Sequence, residues 1–293
     1  MTSFLILGGS GILGSEVIRS ANILGLDYVA PRSSDLDIRD KSLVDEFISN
    51  FKPNWIINCA AWTDVEGAEN SASLADELNA QAVGNLAEAA LKNGSSLIHF
   101  STDYVFDGNS SSAYEVSDST NPINQYGDSK LRGELAVTDS GLESGYIVRT
   151  SWLYGAQGKN FVKTMARKAL SGEPVNVVDD QIGSPTSARD LAAATFEIVS
   201  VKPKSGIYHF ANQGSCSWFE FAQEIFKLAE APIEMVKPIG SDAFKVKAKR
   251  PKSSVLSTVK WQDSSLSKIP RWQDSLEALF PEILAEIERE KTL

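Results

Sequence analysis

The chain has 293 residues, a net charge of −10, 42% hydrophobic and 23% charged residues, and a mean hydropathy of −0.15. That length fits one large α/β domain or one domain with a smaller appendage, and the composition is that of an ordinary globular protein. The acidic balance argues against nucleic-acid binding, no apolar run reaches the roughly 18 residues of a membrane span, and 2 His with 2 Cys are too few for a structural zinc site.

Met1 leads straight into an apolar strand with no basic segment, so no signal peptide is expected. Cys59 and Cys216 lie far apart, which makes a disulfide framework improbable and a reducing cytoplasm the expected compartment; Cys59 reads as a buried strand residue. Strands are expected at Phe4–Leu7, Tyr28–Ala30, Trp55–Cys59, Leu97–Ser101 and Tyr146–Arg149, with helices near 12–24, 41–51, 73–92 and 127–138. Alternation of this kind predicts βαβ units: a Rossmann-type, doubly wound parallel sheet. "DGNSSSAYEVSDSTNPIN", residues 107–124, reads as a long functional loop. Past about 150 the rhythm loosens into a helix near 160–171, a strand "VNVVDD", a helix near 188–200 and a strand "GIYHFAN". A further helix opens at "SCSWFEFAQEIF", capped by Ser215 or Ser217, with Glu220 placed for a capping box on Ser217. The tail, 272–291, reads as one or two amphipathic helices broken at Pro281. The expected organisation is a dinucleotide-binding domain over 1–150, with 186–212 packing back on it, and a smaller C-terminal α/β substrate-binding domain over 151–293.

"FLILGGSGILGSEV" places Gly8, Gly11 and Gly14 between a strand and a helix. The first glycine allows the tight turn, the second lets backbone approach a pyrophosphate, and the third lets the helix pack on the strand. The free N–H groups at the helix start then face the phosphates. The second strand ends at Arg32, which suits a 2′-phosphate, so NADPH is the expected cofactor and NADH the alternative. Asp37, followed by Ile38, is expected near the adenine edge. "NQYGDSKLRGEL" sets Tyr126 and Lys130 at i and i+4 on one helix face, with Leu131 and Leu135 as a separate apolar stripe. A cation so placed would lower the tyrosine pKa from its usual value near 10.

"CAAWTDVEGAE", "HFSTDYVFDG", "YGDSK", "RTSWLYG", "DDQIGSPT", "GIYHFAN" and "RPKSSVLS" follow the glycine loop in order. With it they resemble the extended short-chain dehydrogenases/reductases, and among these the dTDP-4-dehydrorhamnose reductases, over nearly the whole chain. The resemblance implies that Thr102, Tyr126 and Lys130 form the catalytic triad, with Lys130 reaching the cofactor ribose. It places Gly11, Ile12 and Leu13 at the phosphates, and Ala60, Ala61 and Thr63 at the cofactor. Asp103, Trp152 and Arg250 would contact substrate, Arg250 through a diphosphate. The implied reaction is NADPH-dependent reduction of the 4-keto group of a nucleotide-activated 6-deoxysugar, by a monomer or homodimer. A magnesium ion bridges subunits in some members through glutamates; Glu16 matches one position, but Arg189 stands at another, so Mg2+ is not expected. Two rivals remain open. A nucleotide-sugar dehydratase would need an acid after Thr102–Asp103, where Tyr104 stands, and an epimerase would retain oxidised cofactor. A non-catalytic regulatory subunit of this fold would act by binding a partner.

Overall fold

The computed structural model describes residues 2–292. The chain opens with β1 (Ser3–Leu7), α1 (Ile12–Ile23), β2 (Asp27–Val29), α2 (Lys41–Phe51) and β3 (Trp55–Asn58). Two short helices, α3 (Val65–Asn70) and α4 (Ala72–Asp76), lead through a π-helical turn, Glu77–Gln81, into α5 (Ala82–Asn93). Next come β4 (Ser96–Thr102), α6 (Gln125–Thr138), β5 (Gly145–Thr150), β6 (Leu153–Tyr154) and α7 (Phe161–Leu170). They are followed by β7 (Val175–Val178), β8 (Ile182–Gly183), β9 (Thr186–Ser187), α8 (Ala188–Val201) and β10 (Gly206–His209). The chain ends with β11 (Cys216–Ser217), α9 (Trp218–Leu228), β12 (Val236–Ile239), α10 (Val259–Asp263) and α11 (Trp272–Lys291).

Six strands form one parallel sheet in the order β10-β5-β4-β3-β1-β2. Both faces are covered. Phe4 and Ile6 of β1 pack with α1 and α8, whereas Leu5 and Leu7 pack with α2 and α5. This two-sided burial is why the strands read as continuous apolar runs. After β2 the chain crosses to the other side of β1, so the topological switch lies where β1 and β3 end; ligands of open α/β sheets bind at such a point. A third apolar cluster joins α7, α9 and α11 around Phe221, Phe226, Leu276 and Phe280.

Three local expectations are corrected. The helix expected over 73–92 is interrupted by the π turn, and α3 precedes it. The extra residue in that turn directs Asn79 inward, where Oδ1 accepts from Trp62 N at 2.8 Å and Nδ2 donates to Ser129 Oγ at 3.0 Å. The tail is one helix with Pro281 inside it, because its buried face, Leu276, Leu279, Phe280, Ile283 and Ile287, runs through the proline. Of the expected apolar stripe, Leu131 packs against Val105, Phe106, Tyr114 and Leu256 but Leu135 is 49% exposed, and the buried face of α6 is Gly127, Ser129, Lys130, Gly133, Glu134 and Val137. The capping box of Ser217 and Glu220 is present at the start of α9.

Candidate active site

The nucleotide end is built from the turn between β1 and α1. Gly8 has φ +73°, and a Cβ there would lie 2.5 Å from the Ala60 backbone nitrogen. Only glycine lets this turn touch the end of β3, where half-buried Ala60 and Ala61 follow Cys59. A Cβ on Gly14 would lie 2.1 Å from Gly8 O, so the third glycine is equally obligatory. Gly11 caps α1 without a side chain, and the first turn, containing Ile12 and Leu13, has no acidic residue. Its N–H groups are therefore open to an anion, and a pyrophosphate fits this cradle. Arg32 is exposed beyond β2, Thr63 is exposed beyond β3, and Ile38 is buried. Asp37 forms an ion pair with Arg39 at 2.6 Å, which lowers its pKa.

The C-terminal end of β4 meets the N-terminus of α6. Thr102 Oγ1 donates to Asp103 Oδ1 at 3.0 Å, and Ser254 Oγ donates to Asp103 Oδ2 at 2.5 Å. Burial raises the Asp103 carboxyl to about 6 against the pull of these hydroxyls. Asn124 caps α6 by accepting from Gly127 N at 2.8 Å. A Cβ on Gly127 would lie 2.2 Å from Tyr104 O, and one on Gly133 2.1 Å from Asn79 O. These two glycines seat the helix, and with it Tyr126, against the strand ends. Tyr126 packs edge-on against Tyr104, ring centroids 5.9 Å apart. Its pKa moves opposite to expectation: burial raises the phenol to about 12, with Thr102 beside it pulling down and Asp103 adding to the rise. Lys130 does not offset this, since its Nζ lies 3.4 Å from His99 Nε2; burial lowers that lysine to about 8. The phenol is thus a protonated acid at neutral pH.

Trp152 follows β5 with φ +47°, a strained conformation for a bulky residue. Its ring stacks on Trp218, centroids 3.6 Å apart, and lies where any Cβ on Gly183 would sit, 2.4 Å from the ring. Arg250 pairs with Glu66 at 3.2 Å and adjoins the Tyr104 hydroxyl, linking the 244–252 segment to the Tyr104–Tyr126 pair. The structure therefore gathers Thr102, Asp103, Tyr126 and Lys130 around the β4–α6 junction, with Arg250 bordering it through Tyr104. Four residues escaped the sequence reading: Ser254, Glu66, His99 and Trp218. All four lay inside quoted stretches, Ser254 in "RPKSSVLS", Glu66 in "CAAWTDVEGAE", His99 in "HFSTDYVFDG" and Trp218 in "SCSWFEFAQEIF", but their partners are distant in sequence, Asp103 being 151 residues from Ser254.

Glu16 is buried, accepts from Arg19 Nε at 2.7 Å, and has Arg189 Nε at 3.9 Å; Arg189 also pairs with Glu282. A bridging cation does not fit a carboxylate already flanked by two guanidiniums. Among the described residues no group of three or more His, Cys, Asp or Glu is arranged to hold a metal ion.

A family model described as the RmlD substrate binding domain matches residues 1–285. A "dTDP-4-keto-6-deoxy-D-glucose reductase" of Streptomyces niveus is 38% identical over 95% of this chain and 96% of its own. A "dTDP-4-dehydrorhamnose reductase" of Mycolicibacterium smegmatis is 40% identical over 93% of this chain and 83% of its own. The crystal structure of dTDP-4-dehydrorhamnose reductase from Bacillus anthracis in complex with NADP superposes with a TM-score of 0.92 at 38% identity, covering 96% of this chain and 100% of that one.

Proposed function

Because the chain belongs to the RmlD substrate-binding-domain family, we propose that it reduces the 4-keto group of a dTDP-activated 6-deoxysugar with NADPH, converting dTDP-4-dehydro-L-rhamnose to dTDP-L-rhamnose. The observation that carries this reading is the placement of Tyr126, half-buried against Tyr104 and beside Thr102 at the carboxyl edge of the sheet. Open α/β sheets place ligands at that edge, where the Gly8–Gly14 turn also lies.

NADPH, when bound, supplies the hydride to C4. The residues of this chain do the rest. Ile12 and Leu13 present backbone N–H groups to the pyrophosphate, and Arg32 meets the 2′-phosphate. Tyr126 gives its proton to the oxygen that gains charge, and Thr102 holds that oxygen by a hydrogen bond. Lys130 serves the ribose. Arg250 exchanges Glu66 for the sugar-nucleotide diphosphate, and Trp152 walls the sugar. In this reading residues 1–150 bind cofactor, 151–293 chiefly bind substrate, and the protein acts in the cytoplasm without a metal. No helix among the described residues is long and apolar enough to cross a membrane.

NADPH oxidation against a panel of nucleotide 4-keto sugars, with NMR of the products, tests the reading. Tyr126→Phe is expected to lose about 10²–10⁴-fold in kcat while still binding NADPH. Wild-type protein that bound NADPH but oxidised it with none of these sugars would sink the enzyme reading in favour of a regulatory one. A second substrate, dTDP-4-keto-6-deoxy-D-glucose, is favoured by the likeness to the Streptomyces niveus protein, and product stereochemistry separates the two.

A further inference from the structure

Lys130 is buried, and its Nζ has one hydrogen-bond partner among the described residues, Nε2 of His99 at 3.4 Å. The direction of that bond is set on the far side of the ring. Ala60 N donates to Asn58 Oδ1 at 3.1 Å, so the amide turns Nδ2 to His99 Nδ1 at 3.2 Å. Nδ2 can only donate, Nδ1 must accept, and the neutral ring carries its proton on Nε2. His99 has no exposed surface, and burial keeps its ring uncharged. An Nε2–H bonds a lysine nitrogen only through the lone pair of a neutral amine.

We propose that His99 is a positioning residue of the reduction: oriented by Asn58, it donates from Nε2 to Lys130 and parks that lysine as the uncharged amine in the free protein. The inference rests on the reductase reading for its purpose. The other charged groups around Lys130 are committed elsewhere. Glu134 on α6 favours the ammonium but is bound to Arg149 of β5 at 2.7 Å and to Ser101 Oγ of β4 at 2.5 Å. Asp103 is held by Thr102 and Ser254, Glu69 of α3 by Gln125 N at 2.8 Å, and Asp76 of α4 by Arg132 at 3.1 Å. Tyr126 is a neutral phenol. The amine is thus substantially populated from about pH 8 upward, burial having lowered Lys130 to about 8. Ribose hydroxyls of the cofactor accept from an ammonium, so binding draws Lys130 from His99 and takes up a proton.

With 2 His in the chain, the tautomers are readable by long-range 1H–15N NMR of the free protein. His209 is the internal reference: Nδ1 faces Ser257 O at 3.1 Å and Nε2 faces Arg149 Nη1 at 3.4 Å, which makes it the Nδ1–H form. One ring of each tautomer is expected. Asn58→Asp, whose carboxylate accepts from both Ala60 N and the ring, should convert His99 to Nδ1–H. Calorimetry in buffers of different ionisation heat, at about pH 8, should show proton uptake on NADPH binding to wild type and its loss in Asn58→Asp. A wild-type His99 found as Nδ1–H or imidazolium, or NADPH binding without proton uptake, overturns the proposal. The wild-type spectrum decides even if the variant fails to fold, and it needs no turnover, so the proposal and the reductase reading fail separately.

Discussion

Asp103 is 2% exposed and holds two hydroxyls, yet its carboxyl sits at about 6 rather than the usual 3.8. Desolvation outweighs the hydrogen bonds. The native state therefore holds this proton more tightly than the unfolded chain, and stability is present below pH 3.8 and lost as pH rises through about 6. Between about pH 5 and pH 7 the loss from this one group is on the order of 1 kcal/mol. Urea unfolding of wild type and Asp103→Asn at both pH values should show wild type losing that much more than the variant; equal losses would remove Asp103 as the cause. Tyr126 follows the same desolvation logic with a different consequence. Sequence spacing placed it beside Lys130 and implied a lowered pKa, but spacing carries no information about burial or about His99, and burial sets the direction.

Helix α6 illustrates what element patterning reveals and what it hides. Its existence and the shared face of Tyr126 and Lys130 were legible from a four-residue spacing, because that spacing is local. Its packing face was only half legible, because, of the apolar pair, Leu131 packs on Val105, Phe106 and Leu256 whereas Leu135 is exposed. The helix docks by close backbone approach at Gly127 and Gly133, which hydrophobic periodicity cannot register. Gly133→Ala drives a Cβ to 2.1 Å from Asn79 O, so it should cost about 2–3 kcal/mol in chemical denaturation. Gly84→Ala on α5 meets only Ala136 Cβ at 3.6 Å and should instead gain about 0.5–1 kcal/mol from helix propensity. In α11 the packed face overrides Pro281 at the cost of one backbone hydrogen bond. Pro281→Ala restores the donor, and the gain, reduced by the freer unfolded chain, should be about 1–2 kcal/mol, read as a raised Tm.

Across the whole molecule, the parallel sheet was legible because its alternating pattern recurs along the chain, whereas the site's long-range ties were not. Residues 247–257 cross back over the first half of the chain: Lys247 N donates to Glu66 Oε2 at 3.0 Å, Asn124 Nδ2 donates to Lys249 O at 2.8 Å, Ser254 holds Asp103, and Leu256 bridges to Tyr114. No periodicity reports contacts between residues 125 to 181 positions apart. This crossing segment carries Arg250, and its pairing with Glu66 gives that arginine a partner that a diphosphate must replace. The pair is partly exposed, so it is weak, and a bidentate diphosphate is the stronger partner. Glu66→Gln should therefore tighten binding of dTDP, while Arg250→Ala should raise the KM for the sugar nucleotide by about 10–100-fold, the range for one charged hydrogen bond, with NADPH affinity unchanged. Titration of dTDP and NADPH into both variants reads each arm directly. If Glu66→Gln weakened dTDP binding, Glu66 would be a ligand contact or a support for α3 rather than a competitor. If Arg250→Ala weakened NADPH as much as dTDP, the segment would be holding the whole site together rather than recognising the diphosphate.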